Sequence, residues 1–229
     1  MANPTFKDVQ DRINLDYLNR TDFTNETKRA IIRAQKHYER ERFWFNQTAT
    51  AINASTAAYT LSMPADFIAL DMVTVSVNGV GGAPVVQRTM ERVKYRQADG
   101  TSGVPQEVAL YGGTLNLYPK PSSAFPITLH YIMKLPDLSA DTDTNDWLSA
   151  AEDLIVFHAT ADMLANVIRG RPDEVQLMRD MESVALTSLQ RYRNIRMNSN
   201  EDLSVLGPVH RSEPAKSDGG GGGNMPGTK

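Results

Sequence analysis

Phe6, Val9, Ile13 and Tyr17 recur at helical spacing among polar neighbours, which predicts an amphipathic helix over about Thr5–Asn19. Thr5 with Asp8 three residues on gives that helix a start: the hydroxyl caps a free amide and the carboxylate sits at the positive end. A second helix opens in the polar stretch Thr21–Asn25, turns Ile31, Ala34 and Tyr38 inward and ends near Phe43. Its outer face carries Arg29, Arg33, Lys36, Arg40, Glu39 and Glu41, which reads as a solvated or intersubunit surface rather than a nucleic-acid patch. From Gln47 to Lys134 the period shortens. Thr48–Ile52, Tyr59–Met63, Leu70–Val77 and Pro84–Thr89 have the content and alternation of strands, with turn signals at Asn78-Gly79 and Gly81-Gly82. Met90–Ala98 is a short helix. Val108–Tyr111, Leu115–Tyr118 and Ile127–Met133 complete the β region, the first two joined as a hairpin by Gly112-Gly113.

The helical period then returns. Leu154, Phe157, Ala161, Leu164 and Ile168 share one face, and Gly170 is the expected left-handed stop. Pro172, Asp173 and Glu174 suit the first turn of a last helix whose inward stripe is Val175, Met178, Met181, Ala185, Leu189 and Tyr192. Beyond Met197 the chain is polar, with Pro208, Pro214, Pro226 and a glycine run at Gly219–Gly223, too poor in apolar residues to fold alone. Leu203, Val205, Leu206 and Val209 form a small apolar cluster within it, of the kind that docks in a groove. The expected fold class is therefore α+β: a four-helix bundle, two helices N-terminal and two C-terminal, interrupted by an antiparallel β domain and followed by an extended C-terminal arm. The corresponding segments are 1–46, 47–134, 135–197 and 198–229.

Composition narrows the function. At 41% hydrophobic and 22% charged the chain is ordinary for a soluble protein, and a net charge of −3 gives no bulk drive toward nucleic acid. Without cysteine there is no disulfide, thiolate nucleophile or Cys-ligated metal. Asp8, Asp11 and Asp16 argue against a signal peptide, and no apolar run reaches membrane-spanning length. His37, His130, His158 and His210 fall on separate elements and form no metal-binding pair, and each reads as a surface or packed histidine. No phosphate loop, dinucleotide fingerprint or nucleophile elbow is present. Asp141, Asp143, Asn145 and Glu152 stand at the first, third, fifth and last positions of a calcium loop, with Leu148 at the eighth. The glycine that such a loop needs at its bend is Asp146, so two readings stand: a divalent-ion site, or capping of the following helix by Asp143, Asn145 and Asp146.

Five phrases in order carry a resemblance: Phe43-Trp-Phe-Asn46, Tyr59-Thr-Leu-Ser-Met-Pro-Ala-Asp-Phe67, Leu135-Pro-Asp-Leu-Ser139, Thr144-Asn-Asp-Trp-Leu148 and Glu152-Asp-Leu-Ile-Val-Phe157. Together, over about Arg40–Val167, the chain resembles bacteriophage head-to-tail adaptor (connector) proteins. Met63 stands for the usual leucine before Pro64, Asp146 separates Asn145 from Trp147, and Ala151-Glu152 replaces a frequent proline. The resemblance implies a structural protein, not an enzyme, without cofactors. It would form a ring, expected to be dodecameric, that binds the portal, continues the DNA channel and offers a lower surface to the tail or nozzle. It implies a location in the virion at the head–tail interface, with assembly in the host cytoplasm, and double-stranded DNA passing through without specific binding. The helices would form the ring wall, the β region would face outward or toward the tail, and the arm would climb into the portal with Leu203, Val205, Leu206, Pro208 and Val209 as anchors. The alternatives are a virion-associated, cell-wall-degrading hydrolase, to which Glu107 or Asp99 would contribute an acid, and a calcium-stabilised tail component using the 141–152 loop.

Overall fold

The computed structural model describes residues 3–56, 58–77 and 80–205. Helix α1 (Phe6–Asp11) starts with the expected capping box between Thr5 and Asp8 and runs on as π-helical turns over Arg12–Tyr17. Helix α2 (Thr24–Tyr38) stops short of the aromatic cluster. Nine strands follow, β1 (Gln47–Asn53), β2 (Thr60–Ser62), β3 (Phe67–Val77), β4 (Val80–Gln87), β5 (Ser102–Gly103), β6 (Glu107–Tyr111), β7 (Thr114–Tyr118), β8 (Lys120–Pro121) and β9 (Pro126–Met133), with helix α3 (Met90–Gln97) between β4 and β5. Helices α4 (Asp146–Ala150) and α5 (Glu152–Met163), the latter extended by π-helical Leu164–Ile168, and α6 (Pro172–Val205) complete the described chain. The Asn78-Gly79 turn signal, His210 and the arm residues Leu206, Pro208 and Val209 lie outside the described residues. The chain divides into two units, Met1–Arg193, which carries everything described below, and Asn194–Lys229, of which the described residues are the end of α6.

The expectation of a four-helix bundle interrupted by an antiparallel β domain is corrected. The described residues form six helices and a large curled, mixed seven-stranded sheet, so the sheet is a principal layer rather than an insert. Its order is β1-β9-β3-β4-β6-β7-β2, and the β4–β6 pair is parallel. Parallel neighbours need a crossover connection, and the short helix α3 lies within it. Register shifts between Phe67 and Ala69, between Leu70 and Met72, and between Val75 and Val77 bend β3 and curl the sheet. The expected extended arm is also corrected in part, because α6 continues past Met197 to Val205.

Local chemistry accounts for the elements that were foreseen. Gly112 and Gly113 both take positive φ in the β6–β7 turn, which an L side chain resists. The stop before α6 differs from expectation: Arg169, not Gly170, holds the left-handed conformation at φ 57°. Gly170 is instead needed for space, since a Cβ there would lie 2.9 Å from Leu164 Cδ2. Among the described residues two large apolar cores result, with a small third cluster of Val93, Ala109 and Tyr118 beneath α3. The helical one holds Phe6, Ile13, Ile31, Phe43, Leu148 and Leu154, and the sheet core holds Val73, Val108, Leu115, Leu117, Ile127 and Leu129. Met133 packs against both.

Candidate interaction site

Four of the five phrases that carried the resemblance meet in the helical core, while Leu61, Met63 and Phe67 of the Tyr59–Phe67 phrase belong to the sheet core. Phe43 and Phe45 stack with centroids 5.2 Å apart, and Trp147 sets its edge against both at 5.6 and 5.1 Å. Asn46 clamps the turn between them, accepting from the Phe43 amide and donating to the Glu41 carbonyl. Asn145 accepts from the amides of Trp147 and Leu148 and donates through Nδ2 to the Pro136 carbonyl at 2.9 Å, which ties the Leu135–Ser139 phrase to the start of α4. Asp66, in the turn before β3, accepts from the Tyr131 hydroxyl at 3.0 Å. These side chains fix the junction between helices and sheet.

A buried polar clamp joins α2, α5 and α6. Glu182 accepts from the Tyr38 hydroxyl, pairs with His158 Nδ1 at 2.7 Å and accepts from Arg179 Nη1 at 2.8 Å. His37 stacks on the His158 ring at 4.8 Å. Burial pushes the Glu182 carboxyl up, but the hydrogen bonds from His158, Tyr38 and Arg179 outweigh it and hold its pKa down at about 2. Burial, and then donation to Glu182, push the Tyr38 hydroxyl well above its ordinary value. A carboxylate held so low is a poor general base near neutral pH, and the cluster's evident work is to join three helices. Sequence reasoning missed it, because Glu182 looks like one more acid on a charged helix.

The other residues singled out from the sequence are scattered. Asp141 pairs with Lys28 at 2.7 Å and accepts from Gln10, while Asp143 accepts from the amides of Ser139 and Ala140. Asn145 caps α4, and Glu152 pairs with Arg12 at 2.6 Å. Among the described residues no group of three or more acids and histidines is placed to hold a metal ion. Asp99 accepts from the Thr101 amide and the Tyr118 hydroxyl, which keep its carboxyl below the usual range. Glu107 sits under Arg88, Arg92 and Arg96, at 3.9, 3.3 and 3.9 Å. Arg96 links the two acids: it reaches Glu107 and also lies over the ring of Tyr118, whose hydroxyl donates to Asp99. His130 lies mid-strand in β9, opposite Ala49 and Met72. Leu203 and Val205 belong to the last turns of α6.

The surfaces left open are faces and edges. Strands β1 and β2 end the seven-stranded sheet, each with one backbone edge without a strand neighbour among the described residues. On α6, Leu177 and Val184 are 55% and 70% exposed, off the buried stripe of Met178 and Glu182. Beside Val184 a groove of about 400 Å³ runs over Phe157, Met181 and Ser188 between Asp153 and Asp180. The sequence held a signal for this second stripe, two apolar residues seven apart on the polar side of an amphipathic helix. Among the described residues no helix is long and apolar enough to cross a membrane.

No curated protein matches the chain significantly. The family model described as SU10 adaptor protein matches residues 4–210, which covers the helices, the sheet and the junction between them, and the chain belongs to that family.

Proposed function

From the chain's membership in the SU10 adaptor protein family, we propose that it is a structural head-to-tail adaptor of a bacteriophage virion. Copies assemble into a ring, dodecameric in this reading, that binds the portal, extends the DNA channel and presents an attachment surface to the tail or nozzle. Assembly takes place in the host cytoplasm and the product stays in the virion. The observation that carries the reading is the family match across residues 4–210. The protein acts by forming interfaces rather than by catalysis. Residues 1–46 and 135–197 supply the ring wall, 47–134 faces outward or toward the tail, and 198–229 reaches the portal.

The open edges of β1 and β2 suit strand addition by a partner, in which main-chain hydrogen bonds give affinity. Leu203, Val205, Leu206, Pro208 and Val209 are the proposed portal anchors, in a segment whose composition favours ordering on binding. A net charge of −3 suits a passage through which duplex DNA slides without being gripped. The test is incorporation into portal-containing particles. The full chain should co-sediment with them, whereas a chain lacking residues 198–229 should stay folded and remain in the supernatant. Normal incorporation of the truncated chain would overturn the role given to the arm. Failure of the full chain to bind would overturn the adaptor reading itself.

A further inference from the structure

On α2, the side chains of Arg29, Arg33, Lys36 and Arg40 recur at intervals of four, three and four residues along and just past the helix, and all four are exposed. Among the described residues, Arg29, Lys36 and Arg40 have no acidic partner, and Arg33 reaches Asp162 at 2.9 Å through Nε while remaining half exposed. On the outer face of α6, Asp173, Leu177, Asp180 and Val184 recur at the same intervals. Among the described residues Asp180 accepts only from the Gln176 side-chain amide, and Asp173 stands 3.9 Å from Arg171 Nε. A spacing that averages three and a half residues keeps a stripe on one side of a helix when it lies along another, here for roughly 16 Å. One stripe is cationic. The other alternates acid and apolar and borders the groove of Phe157, Met181 and Val184, rimmed by Asp153 and Asp180.

We propose that the α2 stripe of one copy packs along the α6 stripe of the next copy, as the lateral contact of the ring; this rests on the ring reading above. Charge complementarity selects the occupant. The methylene stems of Arg and Lys cover apolar surface such as Leu177, Val184 and Met181, while their charged heads reach the aspartates. Different faces meet, so the contact is head-to-tail. Each copy keeps one free α2 face and one free α6 face until rotation closes the ring. A second copy seated α2 on α2 would set cation against cation, which the sequence disfavours.

The chain contains no cysteine, so engineered thiols report the contact cleanly. Full-length Lys36→Cys and Asp180→Cys variants are mixed with and without portal-containing particles, oxidised mildly, and read by mass on a non-reducing gel and by electron microscopy. The expected result is a disulfide between the two variants, little within either alone, and a ladder of oligomers from the double variant. Charge reversal of either face (Arg29→Glu with Lys36→Glu, or Asp173→Lys with Asp180→Lys) should reduce assembly about tenfold, and combining the two should restore it. Circular dichroism checks that each variant is folded. Rings that form without the mixed disulfide, or that tolerate both reversals, would overturn the pairing and leave the ring reading standing. Mixed disulfides without closed rings would support the pairing and overturn the ring. Absence of both would overturn both. Tight duplex DNA binding that is lost only on reversing the α2 face would assign that stripe to DNA and overturn the proposal.

Discussion

Replacing Glu182 with glutamine removes the charge at the centre of the α2–α5–α6 clamp while keeping the side chain's size. In the folded protein its carboxyl sits at about 2, against an ordinary 4.5. At ~1.4 kcal/mol per pH unit the ionised form contributes about 3 kcal/mol to folding, in line with the roughly 3–5 kcal/mol lost when one member of a buried charge pair is removed. Burial opposes that gain and is outweighed by the donors His158, Tyr38 and Arg179. The folded-state pKa is depressed, so the stabilisation is complete above about pH 4.5 and is lost as pH falls through 2. Glu182→Gln should lower the melting temperature at pH 7 by roughly 6–12 °C, taking 2–4 °C per kcal/mol for a chain of this size. The assay is thermal unfolding by circular dichroism for both proteins at several pH values. The gap should hold from pH 7 to 5, narrow below 4.5, and close near 2, where the wild-type carboxyl is itself protonated. A difference under about 0.5 kcal/mol at pH 7, or a gap that acid leaves unchanged, would refute the reasoning.

Two further substitutions test local features. Asn145→Ala removes the cap of α4 and the bond to the Pro136 carbonyl at a buried site. It should cost about 1–2 kcal/mol in urea unfolding, and near-neutral behaviour would show that the cap is dispensable. Arg169→Gly relieves a left-handed backbone at an exposed position and should raise stability by about 1 kcal/mol, seen as a higher urea midpoint with unchanged slope.

Most elements were legible because their signals are local. The Thr5–Asp8 capping box, the Gly112-Gly113 turn and the short helix α3 depend on neighbours in sequence, and they appear where the pattern puts them. The sheet's topology was not legible. Alternation places Val85 and Val108 in strands, but only the crossover containing α3 makes β4 and β6 parallel neighbours. A strand's period records which face is buried and carries no information on the direction of the strand beside it.

The candidate surfaces divide in the same way. Sequence alone determined the order of helical and strand segments, the absence of thiol chemistry and the phrases that mark the family, because periodicity, composition and motif order are properties of the chain itself. Tertiary structure decided which charges remain free. Arg33 and Arg40 are alike as letters, yet Asp162 answers one and no described residue answers the other. Glu182 and Asp180 stand two residues apart on one helix. The helical turn between them points Glu182 into a buried clamp and Asp180 toward solvent. The physical reason is that a side chain's charge is written in the sequence, while its partner and its solvent depend on chain segments brought together only by folding.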